Sequence, residues 1–355
     1  MKPTQQLHDL GQSLWLDNIT RDLLDSGTLR RYIDDLSVTG LTSNPTIFDE
    51  AIGKGGVYDA AVRAQARSGT STQDTFIAIA LEDLRRAADL FRPIFDATGG
   101  VDGWVSMEVS PLLADDTAGT VAAAKLIHAQ AARPNLFVKI PGTSAGVPAI
   151  EEATFLGIPV NVTLLFSREQ YLAAAQAYLR GIRRRVDAGL NPNVESVASL
   201  FVSRWDRAVA DKVPTELRNR LGIAIAQRCY CAYRDVLASR PWLDLAAAGA
   251  RPQRLLWAST GVKDPQASET LYVESLAAPD TVNTMPEKTL LAFAQQGVLR
   301  GPLQANSTAA EHKLAQFTAI GIDLDSLAAK LQIDAAGAFV KSWTGLMQRI
   351  IDKSK

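Results

Sequence analysis

The sequence is short of the residues that most readily announce a function. It holds two cysteines and three histidines in 355 residues, too few for a disulfide framework. Cys229 and Cys231 stand two apart in IAIAQRCYCAYRDVL, which has helical apolar spacing. Their side chains therefore point apart and make poor joint zinc ligands. His8, His128 and His312 fall in helical segments and receive no catalytic or metal-binding role. No stretch reaches the roughly 18 uninterrupted apolar residues of a membrane span. Asp9, Asp17, Asp22 and Asp25 interrupt residues 1–30, leaving no apolar core for a secretory signal. The expectation is a cytoplasmic protein without a membrane partner. The formal net charge of −1 gives no global field for nucleic acid, so any bound anion must be gripped locally. Gly/Ser linkers, low-complexity tracts and exact repeats are missing as well, which argues against a modular chain.

What is present is apolar material, 47% of residues, enough for a large core at a length that one α/β barrel with insertions commonly reaches. Eight short β-rich runs alternate with helical stretches: 13–17, 38–44, 103–110, 136–143, 159–166, 197–203, 254–260 and 280–286. Eight runs separated by helices fit a (β/α)₈ (TIM) barrel better than an open doubly wound sheet. Residues 45–102 are too long for one crossover and should hold two or more helices. Ser71, three residues before Asp74, is the N-terminal signal of a long amphipathic run through Phe91. After Met285 the apolar spacing is helical in 287–296, 308–318 and 336–350. The predicted fold is α/β, a single barrel domain over 1–355, with 287–355 a helical C-terminal extension packed on it.

Alternate residues of a barrel strand face the interior. In LFVKIPGT, Phe137 and Lys139 share one side, opposite Leu136, Val138 and Ile140. Glu108 opposes Met107 and Val109; Asn161, Thr163 and Leu165 oppose Val160, Val162 and Leu164. The same parity pairs Asp17 with Trp15, and Ser199 and Ser203 with Phe201. Inward polar groups left unpaired would cost several kcal/mol, of the order of about 2–7 each. They make better sense as an active site at the barrel's C-terminal mouth.

Lys139 is the sharpest candidate. Desolvation favours the uncharged form of an amine, which is the form that attacks carbonyls. A structural ion pair with Glu108 is the plainer alternative. Asp17 and Glu108 form a candidate acid/base pair, although Asp17, before NITRDLL, is also placed to cap a helix. Asn44 precedes Pro45 and is thereby biased to an extended conformation; its amide suits substrate hydroxyls or a turn. Arg204 follows the strand of Ser199 and Phe201, and Lys263 the strand of Ser259. Cations at that mouth suit a phosphate, though each alone is as well explained as a solvated surface charge.

Taken in order, the segments LWLDNITRDLL (14–24), GLTSNPTIF (40–48), VSMEVSP (105–111), NLFVKIPGT (135–143), GIPVNVTLLFS (157–167) and ASLFVSRWD (198–206) resemble the transaldolases. RLLWASTGVKDP (254–265) and TVNTMPEKTL (281–290) are similar to the branch with longer bacterial and plant-type chains. The resemblance implies a cofactor-free, metal-free enzyme that acts on sugar phosphates in the non-oxidative pentose phosphate pathway. It makes Lys139 the Schiff-base lysine and Asp17 the acid/base at the cleaved carbon–carbon bond. Glu108 and Thr163 would hold the water of imine formation and hydrolysis, Asn44 and Asn161 the ketose hydroxyls. Ser199 and Arg204 fall at substrate and phosphate contacts, and Phe201 at the aromatic residue closing on them. One departure is visible: where other branches place a second phosphate-binding arginine, this chain reads Thr260, Gly261, Val262, Lys263, leaving Ser259 and Lys263 to do that work. Whether the chain forms a homo-oligomer stays open.

Overall fold

The computed structural model describes residues 1–355. The eight predicted runs are eight strands: β1 (Gln12–Asp17), β2 (Val38–Thr42), β3 (Val105–Glu108), β4 (Leu136–Pro141), β5 (Val160–Leu165), β6 (Ser196–Phe201), β7 (Gln253–Ala258) and β8 (Thr281–Met285). They pair in parallel in the order β2-β1-β8-β7-β6-β5-β4-β3. The remaining seam, β2 to β3, is closed by a bridge between Gly40 and Trp104, with Leu41 N donating to Trp104 O at 2.9 Å. Glycine is required there, since a Cβ on residue 40 would lie 2.7 Å from both Trp104 O and Trp15 Nε1. The result is the expected TIM barrel.

Inward positions stack in layers, as barrel strands of alternating parity dictate. At the floor Arg254 donates to Ser13 Oγ at 2.6 Å and to Thr281 O at 2.8 Å. Above it Phe137 lies on Trp104, ring centroids 4.0 Å apart, with Trp15 at 6.1 Å. This apolar plug separates the floor from the layer of Asp17 and Lys139. Two details of the parity reading change. The run 197–203 leaves the sheet at Phe201, and Ser203 begins the helix Ser203–Val209. In β5 the pairing with β6 shifts between Val162 and Leu165, and Leu164 takes a φ of 60°, so strict alternation ends at Thr163.

Residues 45–102 hold three helices, Pro45–Gly53, Asp59–Arg67 and Thr72–Ala97, the last capped by Ser71 accepting from Asp74 N. Beyond β8 come Glu287–Gln296, Ser307–Ala319 and Leu324–Lys353. The last starts at Leu324, earlier than its apolar spacing from 336 suggests, because Asp323 caps it by accepting from Asp325 N and Ser326 N. It lies across the C-terminal mouth of the barrel. Gln332 Nε2 ties it to Leu164 O at 2.9 Å and Gly142 O at 3.1 Å. Near its other end Arg349 pairs with Asp49 at 2.5 Å and Lys353 Nζ donates to Gly55 O at 2.9 Å. No helix is long and apolar enough to cross a membrane.

Glu195, just before β6, is a buried acid at the opposite end. Its Oε1 accepts no hydrogen bond, and Arg251 Nε stands 3.5 Å away. Burial pushes its carboxyl up to about 7, against the pull of Arg251 and Arg254. The folded state therefore keeps this proton up to about pH 7, whereas the unfolded chain releases it near the ordinary value of 4.5. Stability must fall as pH rises across that interval, by at most about 3 kcal/mol. Glu195→Gln is expected to flatten this slope in melting curves taken from pH 5 to 8. An unchanged slope would mean that Glu195 titrates normally.

Candidate active site

Register brings the chemistry together. Glu108 of β3 and Asn161 of β5 both pair in register with Lys139 of β4, so the three side chains emerge side by side. Lys139 Nζ lies 3.2 Å from Glu108 Oε2, with both side chains almost fully buried, and donates to Ser43 O at 3.2 Å. The ring of Phe339, from the terminal helix, stands over it with its centroid 5.8 Å from Nζ. Across the barrel Asp17 ends β1, where Thr42 Oγ1 donates to its Oδ1 at 2.7 Å and itself meets Thr284 Oγ1 at 2.6 Å. The helix-cap alternative for Asp17 is removed: the following helix is capped by Thr20, which accepts from Leu23 N.

Burial and neighbouring charges both bear on the protonation of this site. Burial raises the Asp17 carboxyl above its ordinary range, while Lys139, the Thr42 hydrogen bond and Lys263 pull it back. Asp17 is partly buried and lines the cavity. Glu108 is raised by burial as well, opposed by Lys139 and pushed further up by Asp17. The Asp17 charge raises the cost of ionising Glu108, which spreads the affinities of the two carboxyls for a proton. Glu108 Oε2, despite its closeness to Lys139, has no well-directed hydrogen bond, and Thr163 Oγ1 has no partner either. Buried oxygens like these cost about 1–3 kcal/mol each unless water or substrate meets them.

A cavity of about 510 Å³ opens at the C-terminal ends of the strands. Of the residues singled out from the sequence, Asp17, Asn44, Lys139, Thr163, Ser199, Phe201, Arg204, Ser259 and Lys263 line it. Glu108 stands behind Lys139. Asn161 is fully buried, donating to Ser106 Oγ at 3.1 Å and accepting from Ser199 Oγ at 2.7 Å. It thus reaches the cavity through the serine it holds. Asn44 lines the cavity and caps Pro45–Gly53 through Oδ1, which accepts from Ile47 N at 3.1 Å.

Cations gather on one side. Arg204 is half-buried, with its guanidinium 5.6 Å from the Phe201 ring centroid and no ion pair within the protein; burial and Arg207 hold its pKa below the ordinary value, against Asp334. Lys263 is exposed at the same mouth. Ser259, at a left-handed φ of 56°, shares a hydrogen bond of 2.9 Å with Ser203 Oγ. Thr260 faces away, donating to Asn283 Oδ1 and Thr284 O at 3.1 Å each. Sequence reasoning missed Thr42, Ser43, Thr284 and Phe339. Thr42 shares inward parity with Gly40 and was open to the same test as Lys139. Phe339 offered no signal, since only the path of the terminal helix brings it over the mouth.

Comparison with known proteins agrees with this geometry. Residues 14–350 match the family described as Transaldolase/Fructose-6-phosphate aldolase. The chain is 46% identical to a protein named transaldolase from Thermobifida fusca, over 98% of this chain and 97% of the relative. It is 45% identical to a transaldolase of Saccharopolyspora erythraea, over 99% and 98%. A transaldolase of Thiobacillus denitrificans is 42% identical over 99% of this chain and the whole of its own length. With a matching family that spans nearly the whole chain and full-length relatives above 40% identity, the chain belongs to the transaldolase/fructose-6-phosphate aldolase family.

Proposed function

We propose that the chain is a cytoplasmic transaldolase that moves a dihydroxyacetone unit from sedoheptulose 7-phosphate to glyceraldehyde 3-phosphate, giving erythrose 4-phosphate and fructose 6-phosphate, with Lys139 as nucleophile. The observation that carries this reading is the buried Lys139–Glu108 pair at 3.2 Å, which shares one cavity with Asp17. The same reading takes residues 1–355 as one catalytic domain with 287–355 as its packed extension. It is supported by a hydrophobic core that runs from the strands to Leu331, Phe339 and Trp343 of the terminal helix.

Breaking a carbon–carbon bond leaves an electron pair on carbon, and a protonated imine is a sink for it. The Lys139 amine adds to the ketose carbonyl. Glu108, with Thr163 holding a water molecule, moves the protons that turn the carbinolamine into an iminium ion and water. Asp17 then takes the proton of the C4 hydroxyl, the C3–C4 bond breaks into the iminium, and the first aldose leaves. The enamine remains on Lys139 until a second aldose accepts its electrons, with Asp17 returning the proton; the water held by Glu108 and Thr163 then adds to the product iminium ion and releases fructose 6-phosphate and the Lys139 amine. Asn44, and Asn161 through Ser199, bind the ketose hydroxyls. Phe201 closes on the substrate, and Arg204, Lys263 and Ser259 receive the phosphate. A coupled assay of fructose 6-phosphate formation tests the reading; substantial dihydroxyacetone release with no transfer would make the chain an aldolase instead.

Arg204→Ala is expected to lower kcat/KM for phosphorylated acceptors by roughly 2–3 kcal/mol, the scale of hydrogen bonds to a charged group. Unphosphorylated glyceraldehyde should lose much less. An equal loss for both acceptors would make Arg204 structural.

A further inference from the structure

The enamine on Lys139 has two fates. It can attack an aldose, or it can take a proton at carbon and return to an iminium ion, which water then hydrolyses to free dihydroxyacetone and the lysine amine. Transfer prevails only where the second route is slow, and exclusion of water is the physical means of slowing it. The barrel alone does not exclude water, since its C-terminal mouth faces outward. The terminal helix Leu324–Lys353 crosses that mouth, and Phe339 is the residue it sets above the nucleophile, with its ring centroid 5.8 Å from Lys139 Nζ and only 5% of the residue exposed. Phe339 lines the cavity opposite polar groups, yet offers no hydrogen bond to substrate. Its ring takes no part in proton transfer.

The helix is held so that this ring keeps its place. Gln332, seven residues before Phe339, bonds the carbonyls of Leu164 and Gly142, at the C-terminal ends of β5 and β4. Thr46 and Ser342 join hydroxyls at 2.8 Å on the other side, and Trp343 meets Phe76 edge to face at 5.2 Å. From this we infer that Phe339 is a specificity-determining residue, an apolar cover that keeps bulk water from the Lys139 enamine and so directs the enzyme to transfer rather than hydrolysis. The inference rests on Lys139 carrying the Schiff base.

The test compares wild type, Phe339→Ala and Phe339→Leu by three measurements: the borohydride-trapped adduct with fructose 6-phosphate, dihydroxyacetone released without acceptor, and transfer to erythrose 4-phosphate. The expected result is an undiminished adduct on Lys139 in all three. The ratio of release to transfer should rise roughly tenfold in Phe339→Ala and stay close to wild type in Phe339→Leu, which retains most of the apolar cover. If the alanine variant fails to fold, Phe339→Gln replaces it: this side chain keeps much of the bulk but is polar, so the ratio should again rise roughly tenfold, and an unchanged ratio would overturn the role of Phe339. An intact adduct with an unchanged ratio in Phe339→Ala, or a ratio raised as much by leucine as by alanine, would overturn the role of Phe339 alone. Absence of the adduct from the wild type would overturn the Schiff base itself, and this inference with it.

Discussion

Lys139→Met should abolish dihydroxyacetone transfer, with a loss of more than about 10⁴-fold, because the other lysines lining the cavity, Lys54 and Lys263, are exposed and have no buried carboxylate partner such as Glu108. Wild-type protein treated with fructose 6-phosphate and borohydride together should gain one adduct, on the peptide containing Lys139, and the variant none. The substitution also strips Glu108 of its cationic partner, and an uncompensated buried charge is costly. Burial already raises the Glu108 carboxyl, so the variant has a way to relieve that cost by keeping the proton. A melting curve on the same preparation separates lost chemistry from lost folding. Finding the adduct on any other lysine would remove Lys139 from the mechanism.

Asp17→Ala should separate the two halves of the reaction. In the proposed mechanism Glu108 and Thr163 serve imine formation, so the variant is expected to trap fructose 6-phosphate on Lys139 as wild type does. Turnover should nevertheless fall by about 10²–10⁴, the range for loss of a general acid/base. Thr20 caps the adjoining helix, so no large loss of helix stability should accompany the change. Near-normal turnover would exclude Asp17 from the chemistry. Loss of trapping in a folded variant would mean that Asp17 acts earlier, at imine formation.

Most of the barrel could be read in advance because a strand states its orientation locally. Parity alone put Lys139, Glu108 and Asp17 on inward faces, and register then set Glu108 directly beside Lys139. Parity failed where the backbone left the regular strand. Ser203 moved into a helix and bonds Ser259, and the irregularity in β5 at Leu164 lies beyond any alternating pattern. The choice between Asp17 as base and Asp17 as cap was undecidable from LWLDNIT, where Asp17 and Thr20 are both good capping residues. The observed hydrogen bond from Leu23 N to Thr20 removes the cap reading, and the Asp17→Ala experiment tests the other.

By itself, then, the sequence determined the eight strands, their helical alternation and the inward set of Asp, Glu, Lys, Asn and Thr, since each follows from short-range periodicity and residue chemistry. Tertiary structure alone decided which of those groups touch, which of them open onto the cavity, and what covers it. Asn161 is withdrawn behind Ser199, and Phe339 is brought to Lys139 from a position 200 residues later in the chain. The physical reason is that strand parity is a local property with a period of two residues. The approach of a distant helix depends on capping by Asp323, on two carbonyls bonded by Gln332 and on the ion pair of Arg349 with Asp49 in the helix Pro45–Gly53. No local pattern encodes where such a helix will come to rest.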